Sequence, residues 1–116
     1  MYGIQSDNGY VEILEGIRIK TINYGKNTLM TEFLLQKDAL LIEHAHPFEQ
    51  TGYLVNGAIK LFIDGSGKVL RPGDSWNIRS GVKHKAEIIE DSIAIEVFNP
   101  CREDYLRFVN ETDICC

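Results

Sequence analysis

The sequence contains three histidines, and two of them form the triplet His44-Ala45-His46. Residues two positions apart on a β-strand point to the same face, so this spacing predicts two imidazoles side by side. Neutral imidazole is a common ligand of divalent transition metals. The triplet therefore predicts that the two imidazoles bind one metal ion together. The alternative is that both are half-buried histidines with a structural role.

The residues around the triplet indicate where the two imidazoles lie. The preceding segment, 39–42, is entirely apolar and is typical of a buried strand, and Pro47 ends that strand just after the triplet. We therefore expect the imidazoles to emerge near the interior of the fold and not on a solvated surface.

The elements that position these histidines read as strands. Between Tyr10 and Phe98, short β-type runs alternate with turn residues at intervals of about ten residues, the pattern of an antiparallel sandwich or barrel. Segment 17–22 alternates apolar and polar residues, as a strand with one buried face does. Asn56-Gly57 predicts a tight hairpin that pairs segment 52–55 with segment 58–61.

Only the C-terminal segment departs from the strand pattern of the rest of the chain. Asn99 can cap a helix, Pro100 suits its first position, and acidic residues follow, so a short helix is predicted over about 100–109. Its apolar stripe would comprise Tyr105, Leu106, Phe108 and Val109. Residues 110–116 show no periodicity and predict a frayed tail, which includes the adjacent cysteines Cys115 and Cys116.

Composition limits the partners and the compartment. The 116 residues form one predicted domain, 1–116, with a barrel core over about 10–98. The net charge of -5 and the absence of a basic run argue against nucleic acid or an anionic membrane as a partner. There is no signal-peptide pattern, and three cysteines near one end form no disulfide framework, so a cytoplasmic location is expected.

The segments that contain the three histidines resemble two known motifs. The run from His44 through Gln50 to Gly57 resembles the first cupin motif, and Gly73 followed by Gly81-Val82-Lys83-His84 resembles the second. The resemblance covers about residues 39–97. It implies an all-β fold, a cupin jelly-roll barrel or double-stranded β-helix with the short C-terminal helix appended.

The resemblance also implies a set of metal ligands: His44, His46, Gln50 and His84. Glu49 could replace Gln50, but a shift of one residue on a strand turns the side chain to the other face, so we favour Gln50. Three neutral imidazoles and an amide leave the charge of a divalent cation uncompensated, which favours a small anionic substrate. One divalent transition metal is expected, and zinc, nickel, iron, manganese, cobalt and copper all accept such ligands.

A further resemblance starts at Glu96. This segment, together with the histidine motif, is similar to that of small bacterial cupins that convert 4,5-unsaturated monouronates from pectin and alginate to linear keto sugars. The resemblance implies a catalytic acid at Glu96, where the family usually has aspartate, and substrate-binding roles for Phe98 and Arg102. Tyr53 is a candidate pocket wall, whereas Trp76 is interpreted as a packing residue.

Two other functions fit the same motifs. Histidine-rich cupin sites also support metal-dependent dioxygenase chemistry, and a non-catalytic cupin would only bind a small ligand. Small cupins also commonly pair through exposed strand edges, so a homodimer is expected.

Overall fold

The computed structural model describes residues 1–115, which form short and long β-strands and two short 3₁₀ helices. The strands are β1 Tyr2–Gly3, β2 Val11–Leu14, β3 Ile17–Tyr24, β4 Leu29–Leu35, β5 Leu40–His44, β6 Glu49–Ile63, β7 Ser66–Leu70, β8 Ser75–Ile78, β9 His84–Asn99 and β10 Ile114–Cys115. The 3₁₀ helices span Glu103–Phe108 and Glu111–Asp113. The prediction of an all-β fold is confirmed, and no helix among the described residues has the length and apolar character to cross a membrane.

The two long strands, β6 and β9, pair with each other along almost their whole length and contribute to both layers of the barrel. The broad sheet contains β2, β3, β4 and β8 together with the second half of β9 and the first half of β6. The narrow sheet contains β5 and β7 together with the other halves of the same two strands. All these pairings are antiparallel, and the core lies between the two layers.

The barrel interior follows from the two-residue alternation of the strands. Ile17 and Ile19 on β3, Leu54 on β6 and Ile78 on β8 are completely buried, as the alternating pattern of segment 17–22 predicts. Aromatic, aliphatic and small residues of the other strands complete this core. The barrel interior is therefore apolar, and any polar side chain buried in it needs a hydrogen-bond partner.

The predicted hairpin at Asn56-Gly57 is wrong. Both residues lie inside the continuous strand β6, where the register against β9 shifts between Leu54 and Ile59. Gly57 has φ of 93°, and a side chain there would approach Ser92 Oγ to 2.1 Å. Because glycine accepts this backbone conformation at little cost, the pair forms an irregular bulge where β6 passes from the broad sheet to the narrow one.

Replacing Gly57 by alanine should lower the free energy of unfolding by about 2 to 4 kcal/mol, because a positive φ and a steric clash act together. Gly65 is a matched control, since its φ of 81° is similar but no atom lies within 4 Å of an added Cβ. Gly65→Ala should therefore cost only about 1 to 2 kcal/mol. Urea unfolding midpoints measure both losses, and equal losses would contradict the close approach at Gly57.

The C-terminal helix differs from its prediction. It is a 3₁₀ helix over Glu103–Phe108, and Arg102, not Asn99, precedes its first turn. Asn99 is instead the last residue of β9 and pairs with Glu49, so it is not available as a cap. Three residues per turn place Tyr105 and Phe108 on one side, which explains why Phe108 is buried while Leu106 stays exposed.

The predicted frayed tail is also wrong for residues 110–115. β10 pairs with β1, and Asp113 accepts a hydrogen bond from the Nζ of the buried Lys20 at 3.0 Å. The same ammonium donates to the backbone oxygens of Ser6 and Asn8, both at 2.9 Å. The buried Lys20 thus links both terminal segments to β3. Cys116, which the predicted tail also included, lies outside the described residues.

Candidate metal centre

The three histidines lie together at one end of the barrel. His44 ends β5, His84 begins β9, and the two residues pair directly across these strands. His46 lies two residues beyond β5, in a loop held by a hydrogen bond from the Gly81 amide to the His46 carbonyl at 2.8 Å. The candidate ligand atoms of all three side chains lie within 4.8 Å of one another.

Each imidazole is oriented by the backbone two residues away. The Nδ1 atoms of His44, His46 and His84 lie 2.8, 3.0 and 2.9 Å from carbonyl oxygens. A carbonyl can only accept, so each Nδ1 carries the proton and each Nε2 keeps its lone pair. The Nε2 of His84 is buried and has no hydrogen-bond partner, which a bound cation would supply.

The protonation of the imidazoles suits the same role. Burial lowers the pKa of His84 to about 4. Burial also lowers the pKa of His46, and the positive charge of Arg102 lowers it further. These two rings are therefore neutral near pH 7, the form in which histidine binds metals.

Gln50 points into the barrel beside the imidazoles, and its Oε1 lies 3.0 Å from His46 Nε2. Two lone-pair donors about 3 Å apart have the spacing of neighbouring ligands on one transition metal. Glu49 points to the opposite, exposed face and accepts a hydrogen bond from Asn77 Nδ2 at 3.0 Å. The donor set that fits a metal is therefore three imidazole nitrogens with the amide oxygen of Gln50.

Glu96 lies on the inner face of β9 and is almost completely buried. Trp76 Nε1 donates to its two carboxyl oxygens, at 3.0 and 3.3 Å. Burial raises the pKa of Glu96 to about 8, although hydrogen bonds from Gln50 and Trp76 oppose this shift. The carboxyl group can therefore hold or release a proton near neutral pH.

The contact of Trp76 with Glu96 was not predicted from the sequence. Gly52 on β6 pairs with Trp76 of β8 on one side and with Glu96 of β9 on the other. A Cβ at Gly52 would lie 2.1 Å from the indole ring. Because Gly52 has no side chain, the indole of Trp76 can cross β6 and reach the carboxyl of Glu96. In the sequence, only a glycine inside a strand indicated such a close approach.

Arg102 stacks on aromatic rings close to the histidine cluster. Its guanidinium carbon is 3.7 Å from the ring centre of Tyr105 and 5.0 Å from that of Phe98. Arg102 Nε donates to both carboxyl oxygens of Asp104, at 3.2 and 3.3 Å. Phe98 is buried, and its ring centre lies 5.8 Å from that of His46, so it forms the wall between the arginine and the imidazoles.

The prediction that Tyr53 lines the pocket is wrong. Gln50 and Leu54 point into the barrel, while Tyr53 points outward with 49% of its surface exposed. Behind the polar groups, the barrel encloses a cavity of about 40 Å³ lined by Gln50, His84 and Glu96 together with apolar core residues. This space is too small to enclose a sugar.

Comparison with known proteins also indicates a cupin. Residues 31–99 match the model of the cupin domain. The pectin degradation protein KdgF of Dickeya dadantii (strain 3937) is 27% identical over 107 residues, which cover 90% of this chain and 97% of that protein.

Two solved structures are similar over nearly the whole chain. The structure of KdgF from Halomonas sp. superposes with a TM-score of 0.85 and 26% identity, covering 90% of this chain and 96% of that one. An RmlC-like cupin from Shewanella frigidimarina NCIMB 400 gives a TM-score of 0.85 and 28% identity, covering 90% and 94%. With its matching domain model, its two-layered barrel and its histidine cluster, the chain belongs to the cupin family and is a small cupin resembling KdgF.

Proposed function

We propose that this cupin holds one divalent transition metal and converts a 4,5-unsaturated monouronate to its linear keto form. The observation that carries the proposal is the convergence, at one end of the barrel, of three kinds of group. These are the metal-type nitrogens of His44, His46 and His84, the buried carboxyl of Glu96, and the stacked guanidinium of Arg102. Similarity to KdgF, a pectin degradation protein, supports a sugar acid as the substrate.

The reaction is an isomerisation, so it needs proton transfer and no oxidant. The anomeric hydroxyl loses a proton, the bond between the anomeric carbon and the ring oxygen breaks to leave an aldehyde and an enolate, and the enolate takes up one proton on carbon to become the ketone. Glu96 would accept the first proton and return one to carbon, with Trp76 holding the carboxyl in place. A bound metal would supply Lewis-acid polarisation of the sugar oxygens.

Arg102 would select the substrate by its carboxylate. Its terminal nitrogens can bind a carboxylate in a two-pronged fork, and the rings of Tyr105 and Phe98 restrict the orientation of the guanidinium. Gln50 supports the same preference, because a neutral fourth ligand leaves the metal site positively charged. We also propose a cytoplasmic location, which the free thiols of Cys101 and Cys115 support.

Turnover of an unsaturated monouronate should proceed at the same rate in air and without oxygen, because no electron leaves the substrate. The measurement is the loss of double-bond absorbance by purified, metal-loaded protein in sealed and aerated cuvettes. Turnover that stops without oxygen would replace the proposal with dioxygenase chemistry. Tight binding of the sugar acid with no turnover would replace it with a ligand-binding cupin.

A further inference from the structure

Arg102 holds a positive charge in a fixed place beside the candidate metal centre. Its side chain is only 15% exposed. Three aromatic rings contact the guanidinium, with ring centres 5.3, 5.0 and 3.7 Å from its central carbon: those of Phe48, Phe98 and Tyr105. Because these rings exclude water from the guanidinium, its charge acts on its neighbours more strongly than a charge in bulk solvent does.

Two of the rings also contact a candidate metal ligand. The ring centre of Phe98 lies 5.8 Å from that of His46. The ring centre of Phe48 lies 5.9 Å from that of His46, and the Phe48 carbonyl accepts a hydrogen bond from His46 Nδ1 at 3.0 Å. A single ring therefore separates the guanidinium from the imidazole, and a cation bound by the histidines would lie roughly 10 Å from the charge of Arg102.

The candidate ligands do not offset the repulsion between these two charges. Three neutral imidazoles and the neutral amide of Gln50 carry no negative charge. Asp104 accepts a hydrogen bond from Arg102, but its side chain is 52% exposed, so water screens its carboxylate. Burial is the main cause of the lowered pKa values of His46 and His84, and the charge of Arg102 lowers both further. A charge that opposes a proton on an imidazole also opposes a metal cation at the same ring.

We propose that Arg102 couples the two ligands of this site, so that a carboxylate bound to its guanidinium raises the affinity of the histidine cluster for a divalent metal. The inference rests on the proposed function, in which one site binds both a metal and a uronate. The carboxylate neutralises the guanidinium and thereby removes the repulsion. Because coupling between two ligands is reciprocal, a bound metal strengthens binding of the carboxylate by the same factor. The site therefore binds its metal most tightly when the sugar acid is present.

Coulomb's law gives the size of this coupling. For a unit charge and a divalent cation roughly 10 Å apart, an effective dielectric constant between about 40 and 80 changes the metal dissociation constant by about 4- to 16-fold. Salt weakens an interaction over this distance, since the Debye length falls from about 30 Å at 0.01 M to about 10 Å at 0.1 M ionic strength. The coupling is therefore largest at low ionic strength, a dependence that purely steric coupling would not show.

Arg102→Gln should bind Co²⁺ about 4- to 16-fold more tightly than the wild type when no sugar acid is present, because the repelling charge is gone. Calorimetric titration of the full chain at an ionic strength of about 0.01 M measures both dissociation constants. Arg102→Lys keeps the charge and should stay close to the wild type. Arg107→Gln is the matched control for net charge, since Arg107 belongs to the same 3₁₀ helix but lies over the ring of Phe108, and it should also resemble the wild type.

Saturating galacturonate, which lacks the 4,5 double bond, should strengthen Co²⁺ binding by the wild type by the same factor and leave that of Arg102→Gln unchanged. Galactose, which lacks the carboxylate, should change neither.

Two results would overturn the coupling. One is equal Co²⁺ affinity of the wild type and Arg102→Gln without the sugar acid. The other is equal strengthening of both by galacturonate, because the acid would then act on the metal directly. Either result leaves turnover of the unsaturated uronate, and with it the proposed function, untouched. A wild type that shows the coupling but does not convert the uronate would refute the proposed function alone.

Discussion

Purified His84→Ala protein should contain almost no divalent metal, whereas the wild type should retain about one ion per chain after dialysis. His84 supplies the most deeply buried of the three candidate nitrogens, and its Nε2 has no hydrogen-bond partner. Removing it leaves the imidazoles of His44 and His46 with an apolar cavity behind them, and we expect affinity to fall by more than about a hundredfold. Plasma mass spectrometry of dialysed protein measures the loss.

Lys85→Ala is the control for this variant, because Lys85 is the next residue of β9 but points outward. It should retain the metal. Gln50→Ala and Glu49→Ala form a second matched pair, in which only the Gln50 variant should bind metal more weakly. Unchanged metal content in both His84→Ala and His44→Ala would show that the histidines are structural, and the proposed function would lose its basis.

Glu96→Gln should reduce turnover of an unsaturated monouronate by about 10² to 10⁴-fold while the protein keeps its metal. The amide preserves the volume of the buried side chain and still accepts a hydrogen bond from Trp76, but it cannot carry the transferred proton. The expected loss is therefore in kcat and not in the amount of folded protein. Initial rates at saturating substrate, with metal content measured on the same samples, test this result.

Two further variants sharpen the test of Glu96. Glu87→Gln changes an exposed carboxylate on the outer face of the same strand and should leave the rate unchanged. Trp76→Phe keeps the carboxyl but removes its hydrogen-bond donor, so kcat should fall less than in Glu96→Gln, and its pH profile should shift. A fully active Glu96→Gln enzyme would require another residue as the proton carrier.

Features of the site that depend only on residues close together in the sequence could be predicted from the sequence. The triplet His44-Ala45-His46 predicted two imidazoles close together, although β5 ends at His44 and the turn that follows, not strand alternation, brings His46 to the site. The outward orientation of Tyr53 was also accessible from the sequence. It lies three residues from Gln50, and an odd separation on a strand places two side chains on opposite faces.

Long-range pairing explains the features that the sequence did not predict. Asn56-Gly57 has the composition of a hairpin turn, but β9 pairs with both flanking segments and keeps β6 extended through the bulge. The contact between Trp76 and Glu96 likewise depends on which residue of β6 lies between them. No spacing along the chain contains that register, because it is set when three strands distant in sequence pair around Gly52.

The shared strands also determine how the molecule can come apart. A sandwich made of two separate sheets can open at the interface between its layers, but here β6 and β9 each run through both layers and pair with each other in both. Neither layer can detach without breaking the backbone ladder of the other. The strands that the two layers share therefore join them into one cooperative unit.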